Sequence, residues 1–157
     1  MKKKIIVDTE DGSNTFYFPE LNEHYHSVHG AVAESMHVFI EAGIRPKFRN
    51  HQPLNVLEVG LGTGLNAALT LLEAESNKTI VSYFAIEPNP LLPEDILQLN
   101  YSEASGSKRM KEVIPAIHAA SRDNEVHISQ YFIFNYFEKR IQDVEFENDF
   151  FDVVYFD

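Results

Sequence analysis

The sequence has 157 residues, 44% of them hydrophobic and 24% charged, which is typical of one globular domain and leaves no room for two independent cores. It contains no cysteine, so disulfides, thiolate metal sites and cysteine nucleophiles are excluded. Acidic residues outnumber basic ones 24 to 13, which gives a net charge of −11. This composition argues against a nucleic-acid-binding surface, because such surfaces are normally basic.

The N-terminus carries three lysines, Lys2 to Lys4, followed by the short apolar run Ile5-Ile6-Val7, which Asp8 ends. A secretory leader needs about 7–15 apolar residues at this place. No part of the sequence approaches the roughly 20 apolar residues of a membrane span. We therefore expect a soluble, cytoplasmic protein.

The first fifty residues, 1–50, predict an N-terminal extension made of a β-hairpin and a helix. Residues 4–18 form two apolar runs around a turn-forming cluster, which is typical of a hairpin. Residues 28–42 carry apolar side chains at helical spacing. Ser27 is placed to cap this helix and Gly43 to end it.

From Leu54 onward the pattern changes to alternating strands and helices. The predicted order is strand, helix, strand, helical region, long strand and final strand, over 54–59, 65–75, 79–86, 90–120, 126–141 and 150–156. A break in the middle of the long strand stays open at this point. This alternation predicts a Rossmann-like α/β fold over residues 51–157, with a doubly wound parallel sheet. Because the chain stops at Asp157 on an apolar strand, we expect the sheet to be truncated after its fourth strand.

A glycine loop follows the first of these strands and opens the next helix, with the pattern Glu58-x-Gly60-x-Gly62-x-Gly64. Glycines permit a tight turn and let a ligand approach the backbone. A dinucleotide-binding loop would need a small residue at position 65, where this chain has Leu65. The spacing instead resembles the first motif of S-adenosylmethionine methyltransferases, whose cofactor lacks a pyrophosphate and carries an ammonium group that Glu58 can receive. We predict S-adenosyl-L-methionine as the cofactor.

Three further acids lie at or after predicted strand ends, where ligands of α/β proteins bind. Glu87 ends the second strand, and its carboxylate can accept hydrogen bonds from both ribose hydroxyls. Asp143 follows the third strand and is placed to accept the adenine amino group. Asp157 ends the fourth strand, where a carboxylate can orient an amine and take up its proton.

Four histidines between residues 24 and 37 have no regular metal-ligand spacing with nearby acids. They are His24, His26, His29 and His37. Methyl transfer to nitrogen needs no metal, and we predict no metal site.

Several short blocks over nearly the whole chain form a combination more specific than the glycine loop. They are Asp11-Gly12-Ser13 with Thr15 and Tyr17, Tyr25-His26-Ser27 with Gly30-Ala31, Glu34-Ser35, Val38-Phe39-Ile40, Leu57-Glu58-Val59-Gly60, Gly62-Thr63-Gly64-Leu65-Asn66, Ile86-Glu87, Ile117-His118-Ala119-Ala120 and Tyr155-Phe156-Asp157. Together they resemble the tRNA wobble-uridine methyltransferases related to the N-terminal domain of MnmC, including the single-domain MnmD type.

The resemblance implies an S-adenosylmethionine-dependent N-methylation of the aminomethyl group on the modified wobble uridine of tRNA, with the base flipped into the pocket. It implies tRNA as the partner, with no membrane and no metal. The implied cofactor-binding residues are Glu58, Gly60, Gly62, Thr63, Gly64, Asn66, Glu87 and Asp143, with Tyr25, Ser27 and Glu34 closing the pocket near the methyl group. Asp157 would begin the family's Asp-Ala-Phe-Ala-Pro segment at the transfer site.

Three other functions stay open at this point. An aminopropyltransferase, or another small-amine transferase, also uses a sulfonium nucleoside, although its loop usually has adjacent glycines. A nicotinamide-dependent oxidoreductase is disfavoured by Leu65. A non-catalytic fragment that binds a nucleoside is the remaining alternative.

Overall fold

A computed structural model describes residues 3–50 and 52–156 of the chain, the side chain of residue 50 excepted. The N-terminal part forms a small antiparallel sheet in the order β1-β2-β3, with β1 Ile5–Asp8, β2 Asn14–Phe18 and β3 Glu23–His24. The first two strands are joined at the predicted turn, and Asp8 pairs with Asn14. The predicted hairpin is therefore confirmed.

The helix after this sheet begins and ends later than the sequence predicts. Helix α1 spans Ala31–Ser35 and continues as a π-helical segment over Met36–Ile44 and a 3-10 helix over Arg45–Asn50. The prediction of Ser27 as the cap is wrong, because Gly30 precedes the first helical residue. The prediction of Gly43 as the stop is also wrong. A Cβ at Gly43 would lie 3.2 Å from the ring of Tyr155, so this glycine permits close packing instead.

Helix α1 is capped by side chains of the hairpin turn, about twenty residues earlier in the sequence. Asp11 accepts a hydrogen bond from the backbone N–H of Ala33 at 2.8 Å, and Ser13 Oγ accepts one from Ala31 at 3.1 Å. Asp11 also accepts from the N–H of Ser13 at 2.9 Å. The first N–H groups of a helix have no partner within the helix, so these bonds fix α1 to the hairpin.

Replacing Asp11 with alanine is expected to lower the free energy of unfolding by about 1–2 kcal/mol, the usual range for loss of a helix cap. Burial raises the pKa of Asp11, but hydrogen bonds from Ser13, Ala33 and Thr9 outweigh this effect and leave the pKa below 3.8. The cap therefore stabilises the fold above that pH and is lost as the pH falls through the folded-state pKa. Urea unfolding at pH 7 and pH 3 measures both effects. Asp8→Ala, exposed on the same hairpin, is the control, and equal losses in the two variants would contradict the capping role.

The central sheet has the order β6-β7-β5-β4-β8. Its strands are β4 Leu54–Val59, β5 Val81–Ile86, β6 Glu125–Ser129, β7 Phe132–Phe137 and β8 Val153–Phe156. Four neighbouring strands of this sheet are parallel, as predicted: β7, β5, β4 and β8. The predicted long strand is divided into β6 and β7, and these two strands form an antiparallel hairpin at one edge.

Four helices follow the strands as the alternation predicts: α2 Leu65–Asn77, α3 Pro93–Ile96, α4 Tyr101–Ser105 and α5 Met110–Ala119. Helix α2 packs against α5 and against the π-helical segment. Val56, Tyr83 and Phe134 lie opposite one another in register and are fully buried on the sheet face toward these helices. Buried residues of the hairpin and first helix, including Phe16 and Ile40, join the same core. The division into 1–50 and 51–157 stays a prediction.

The other face of the sheet is covered in part by an aromatic cluster. The rings of Phe146, Phe150 and Phe151 pack edge-on against Phe84 of β5, with ring centroids 5.4 to 6.0 Å apart. Nearby on β8, Val154 and Phe156 are exposed. Within the described ranges, no helix is both long and apolar enough to cross a bilayer.

Candidate functional site

The glycine loop and Glu87 meet at the carboxyl edge of the parallel sheet. Strand β4 leads into the loop, and the neighbouring strand β5 ends just before Glu87. The N–H of Gly60 donates to the carbonyl of Ile86 at 2.9 Å, which joins the two strand ends. The fold therefore brings together two parts of the predicted site that are more than twenty residues apart in sequence.

The three glycines of the loop all adopt positive φ angles: 93° at Gly60, 52° at Gly62 and 78° at Gly64. Side chains rarely tolerate this conformation, so the loop needs glycine at these positions. The N–H of Gly64 donates to the carbonyl of Leu61 at 2.8 Å, which closes a tight turn before α2. The residues therefore fold locally as the glycine pattern predicts.

Glu87 is held by two backbone donors. Its Oε2 accepts from the N–H of Gly62 at 3.1 Å, and its Oε1 accepts from the N–H of Asn89 at 2.8 Å. A carboxylate oxygen can accept two hydrogen bonds, so this arrangement fixes the group and leaves it able to accept further donors. Glu87 is thus oriented in advance of any ligand.

A cavity of about 650 Å³ lies beside Glu87, between the N-terminal sheet and the loop that follows β5. Its wall combines rings and aliphatic side chains with a few polar groups, of which the Glu87 carboxylate is the most buried. The lining residues are Lys4, Phe18, Leu21, Glu23, His24, Tyr25, Glu87, Pro88, Asn89, Pro90, Leu91 and Leu92. Small-molecule sites are usually concave and mostly apolar, with a few placed polar groups. This cavity meets that description.

Tyr25 lies between this cavity and the glycine loop. A Cβ at Gly62 would approach the Tyr25 ring to 3.0 Å, so the absence of a side chain at Gly62 makes room for the ring. Burial, with Glu87 and Asp95 nearby, raises the pKa of Tyr25 to about 12, and the phenol stays protonated at neutral pH. Tyr25 is therefore a neutral hydrogen-bonding group on the cavity wall.

A second, more open cleft of about 510 Å³ lies on the other side of Tyr25. Tyr25, Ser27 and Glu34, which the family resemblance implicated together, all line it. Glu34 Oε2 accepts the backbone N–H of Ser27 at 2.8 Å, which fixes the loop between β3 and α1. These three residues are therefore adjacent, although their predicted role near a methyl group stays a prediction.

Thr63, at the centre of the loop, is fully buried between two histidines. Its hydroxyl lies 2.8 Å from Nε2 of His26, and its carbonyl accepts from Nε2 of His118 at 3.0 Å. Neither histidine is predicted from the sequence to lie at the loop. The only signal was their presence in two of the blocks that carry the family resemblance. Asn66, on the first turn of α2, is 2% exposed and also lies next to the loop in sequence.

Among the residues predicted for the site, those of the glycine loop line neither cavity, and Glu58 and Asp143 also lie away from both linings. Glu58 is fully buried within β4, where Tyr83 donates a hydrogen bond to it at 2.8 Å. Asp143 is exposed in the short 3-10 turn Ile141–Asp143 after β7. Their cofactor contacts stay predictions. Asp157, the predicted catalytic residue, lies outside the described residues.

The histidines do not gather around a common point. Across 3–50 and 52–156, no cluster of three or more His, Asp or Glu side chains is arranged to hold a metal ion. His29 and His37 instead face single carboxylates of Glu10 and Glu41 on the surface.

The parallel sheet, the glycine loop at its carboxyl edge and the acid at the end of the next strand define a Rossmann-like α/β protein with a cavity beside Glu87. Among solved structures, the crystal structure of MNMC2 from Aquifex aeolicus matches with a TM-score of 0.68 and 23% identity. The match covers 92% of this chain and 46% of that chain. The predicted fold class is confirmed.

Curated proteins give a match in sequence. The tRNA 5-methylaminomethyl-2-thiouridine biosynthesis bifunctional protein MnmC of Burkholderia mallei (strain SAVP1) is 30% identical over 95 residues. The protein of the same name from Burkholderia pseudomallei (strain 668) matches to the same extent. No protein-family model matches the chain. The resemblance predicted from the sequence is confirmed: part of the chain is similar in sequence to MnmC. The matched part covers 58% of this chain and 14% of the length of these relatives.

Proposed function

We propose that this chain binds S-adenosylmethionine at the glycine loop and belongs to an N-methyltransferase that acts on the aminomethyl group of the modified wobble uridine in tRNA. The observation that carries the proposal is the Glu87 carboxylate, held by the N–H of Gly62 on the wall of the 650 Å³ cavity. The similarity to MnmC supports the choice of reaction. A cytoplasmic location follows from a tRNA substrate.

The residues of the site fit the nucleoside half of this cofactor. Glu87 offers acceptors to the two ribose hydroxyls, and its position is already fixed by two backbone N–H groups. Rings and prolines of the cavity wall, among them Phe18 and Pro88, offer apolar surface to the base. In this proposal the loop of Gly60, Gly62, Thr63, Gly64 and Asn66 holds the amino-acid half.

Two acids complete the proposed cofactor contacts. Glu58, which precedes the loop in β4, would accept the ammonium group, and Asp143 would accept the adenine amino group. A carboxylate is compatible with the cationic tail of this cofactor, whereas a dinucleotide would place a negatively charged pyrophosphate near it. The charge of the ligand therefore favours S-adenosylmethionine over a dinucleotide at this place.

When bound, the cofactor supplies a methyl group activated by its sulfonium. The task of the protein is to place a neutral amine in line with that group and to exclude water. Tyr25, neutral and shared by both clefts, would separate the nucleoside from the acceptor. Ser27 and Glu34 line the acceptor side, and the carboxylate of Asp157 would orient the amine and receive its proton.

The acidity of the chain bears on how tRNA would be bound. With 24 acids and 13 bases, this chain has little means of neutralising a phosphate backbone. In our proposal it therefore recognises the flipped nucleotide and contributes little affinity for the rest of the tRNA.

Calorimetry with S-adenosylmethionine, S-adenosylhomocysteine and NAD tests the cofactor class. We expect both sulfur-containing ligands to bind and NAD to fail. Binding of NAD alone, or of none of the three, would overturn the proposal. Methyl transfer to undermodified tRNA, measured beside free polyamines as acceptors, then separates the proposed reaction from that of a small-amine transferase.

Replacing Glu87 with glutamine is expected to weaken binding of S-adenosylhomocysteine at least about tenfold. Glutamine keeps the size of the side chain but turns one acceptor into a donor, and a hydrogen bond to a charged group is worth about 1.5–3 kcal/mol. Calorimetry measures the effect, with the exposed Glu94→Gln of α3 as the matched control. Equal affinities in the two variants would show that Glu87 does not contact the ligand.

A further inference from the structure

Three separate elements meet at Thr63. The loop between β3 and α1 supplies His26, α5 supplies His118, and the glycine loop supplies Thr63 itself. His26 is 8% exposed and Thr63 is fully buried, so water does not compete strongly for these bonds. The contacts join residues 37 and 55 positions apart in sequence.

Each histidine uses its Nε2 on a different atom of Thr63. The carbonyl of Thr63 can only accept, so Nε2 of His118 carries the proton in that bond. Burial lowers the pKa of His26 to about 4 and also lowers the pKa of His118, and both rings are neutral at pH 7. A neutral ring can hold the loop without placing a positive charge beside the sulfonium of the proposed cofactor.

The bonds act at the centre of the site. Gly62, on one side of Thr63, donates to Glu87, and Gly64, on the other side, begins the turn into α2. The close approach of His118 depends on Gly64, because a Cβ there would lie 3.0 Å from Nε2. A displacement of Thr63 would therefore move the donor that orients Glu87.

We infer that His26 and His118, here called the histidine pair, are positioning residues that hold Thr63 and thereby set the shape of the glycine loop for the sulfonium nucleoside. This role rests on the proposed function, since the ligand is the one proposed above. In this role the histidine pair acts on the loop through its contacts with Thr63, and His26 also lines the more open cleft beside Ser27 and Glu34.

Thr63→Val tests the inference, because valine has nearly the shape of threonine and lacks the hydroxyl. We expect S-adenosylhomocysteine to bind roughly tenfold more weakly, as follows from loss of one buried hydrogen bond. Hydrogen exchange at the amides of residues 60–64 should become faster. Thr63→Ser keeps the hydroxyl and should restore both affinity and protection, which a purely space-filling role would not predict.

His26→Ala and the double variant His26→Ala/Thr63→Val supply an independent measurement. If the two side chains act through one bond, the double variant should bind S-adenosylhomocysteine no more weakly than the worse single variant. Wild-type affinity and unchanged exchange in Thr63→Val, or fully additive losses in the double variant, would overturn the inference. If the wild-type chain binds no S-adenosylhomocysteine, the proposed function fails, and loop exchange in Thr63→Val against Thr63→Ser still decides the role of His26, the member of the pair that bonds the hydroxyl.

Discussion

Replacing Gly64 with alanine is expected to lower the free energy of unfolding by about 2–4 kcal/mol. Gly64 has a φ of 78°, and a left-handed conformation costs a non-glycine residue about 1–2 kcal/mol. In addition, the new Cβ would lie 3.0 Å from Nε2 of His118. Because that ring belongs to α5 and is held by Thr63, relieving the contact shifts the ring by a few tenths of an ångström and weakens the His118 hydrogen bond. Urea unfolding measures the total loss.

Gly106→Ala is a matched control for the conformational part of this effect. Gly106 has a φ of 69° and ends helix α4, and a Cβ built there meets no atom within 4 Å. Gly106→Ala should therefore lower the free energy of unfolding by only about 1–2 kcal/mol, through the backbone conformation alone. His118→Ala removes the ring that the new Cβ contacts, but it also removes the hydrogen bond to Thr63. The double variant Gly64→Ala/His118→Ala should therefore regain less stability than the contact costs. Equal destabilisation by Gly64→Ala and Gly106→Ala would show that His118 does not depend on the glycine.

The parts of the fold that sequence predicts well are those encoded by local patterns. Strand β4, the glycine loop and the start of α2 are found at the predicted residues, because an apolar run, three glycines and a helical pattern follow one another without interruption. Strand β5 and Glu87 are predicted for the same reason. Parallel neighbours then bring both to one edge of the sheet.

The helix start was predicted wrongly because its cap is not local. Ser27 has the residue type of an N-cap, but its N–H donates to Glu34 and its hydroxyl accepts from His29. Asp11 and Ser13 cap the helix from the hairpin turn. No pattern within residues 27–35 records a contact made by residues so distant in sequence.

The directions in which the side chains of Glu58 and Glu87 point show why only part of the site is predictable from the sequence. Glu58 lies within β4, and its direction is set by the alternation of the strand, which places it on the same face as Val56 and Tyr83. Glu87 follows the last residue of β5, where the alternation no longer applies, and its carboxylate reaches Gly62 instead. Glu58 and Glu87 therefore have different surroundings although both are close to the glycine loop in the predicted fold. Their positions in the sequence do not show which of them lines the cavity.

The roles of His26 and His118 also depend on contacts across the fold. Each histidine lies on a different element, and the third partner is a threonine whose type does not suggest a site. Composition and spacing show seven histidines but not which of them are buried. Burial, which only the assembled core decides, changes His26 from a surface base into a neutral hydrogen-bonding group.

Stability is expected to fall by about 3 kcal/mol through His26 as the pH decreases from 7 to 4. Burial lowers the pKa of His26 from 6.5 to about 4, so in this range the unfolded chain binds a proton that the folded chain does not. The unfolded state is therefore favoured progressively below pH 6.5, and the effect is complete near pH 4, where both states are protonated. A difference of about 2.5 pKa units corresponds to about 3 kcal/mol.

His26→Gln removes the titrating ring while keeping a polar side chain, so it should lose stability at pH 7 but show a flatter pH dependence between pH 6.5 and pH 4. Urea unfolding across this range gives both slopes. His127→Gln on β6 is the control, because His127 is exposed and faces Glu125. The part of the slope that survives in His26→Gln should include His118, whose pKa is also lowered by burial. Parallel curves for wild type and His26→Gln would contradict the prediction, because they would mean that His26 takes up its proton equally well in the folded and unfolded chain.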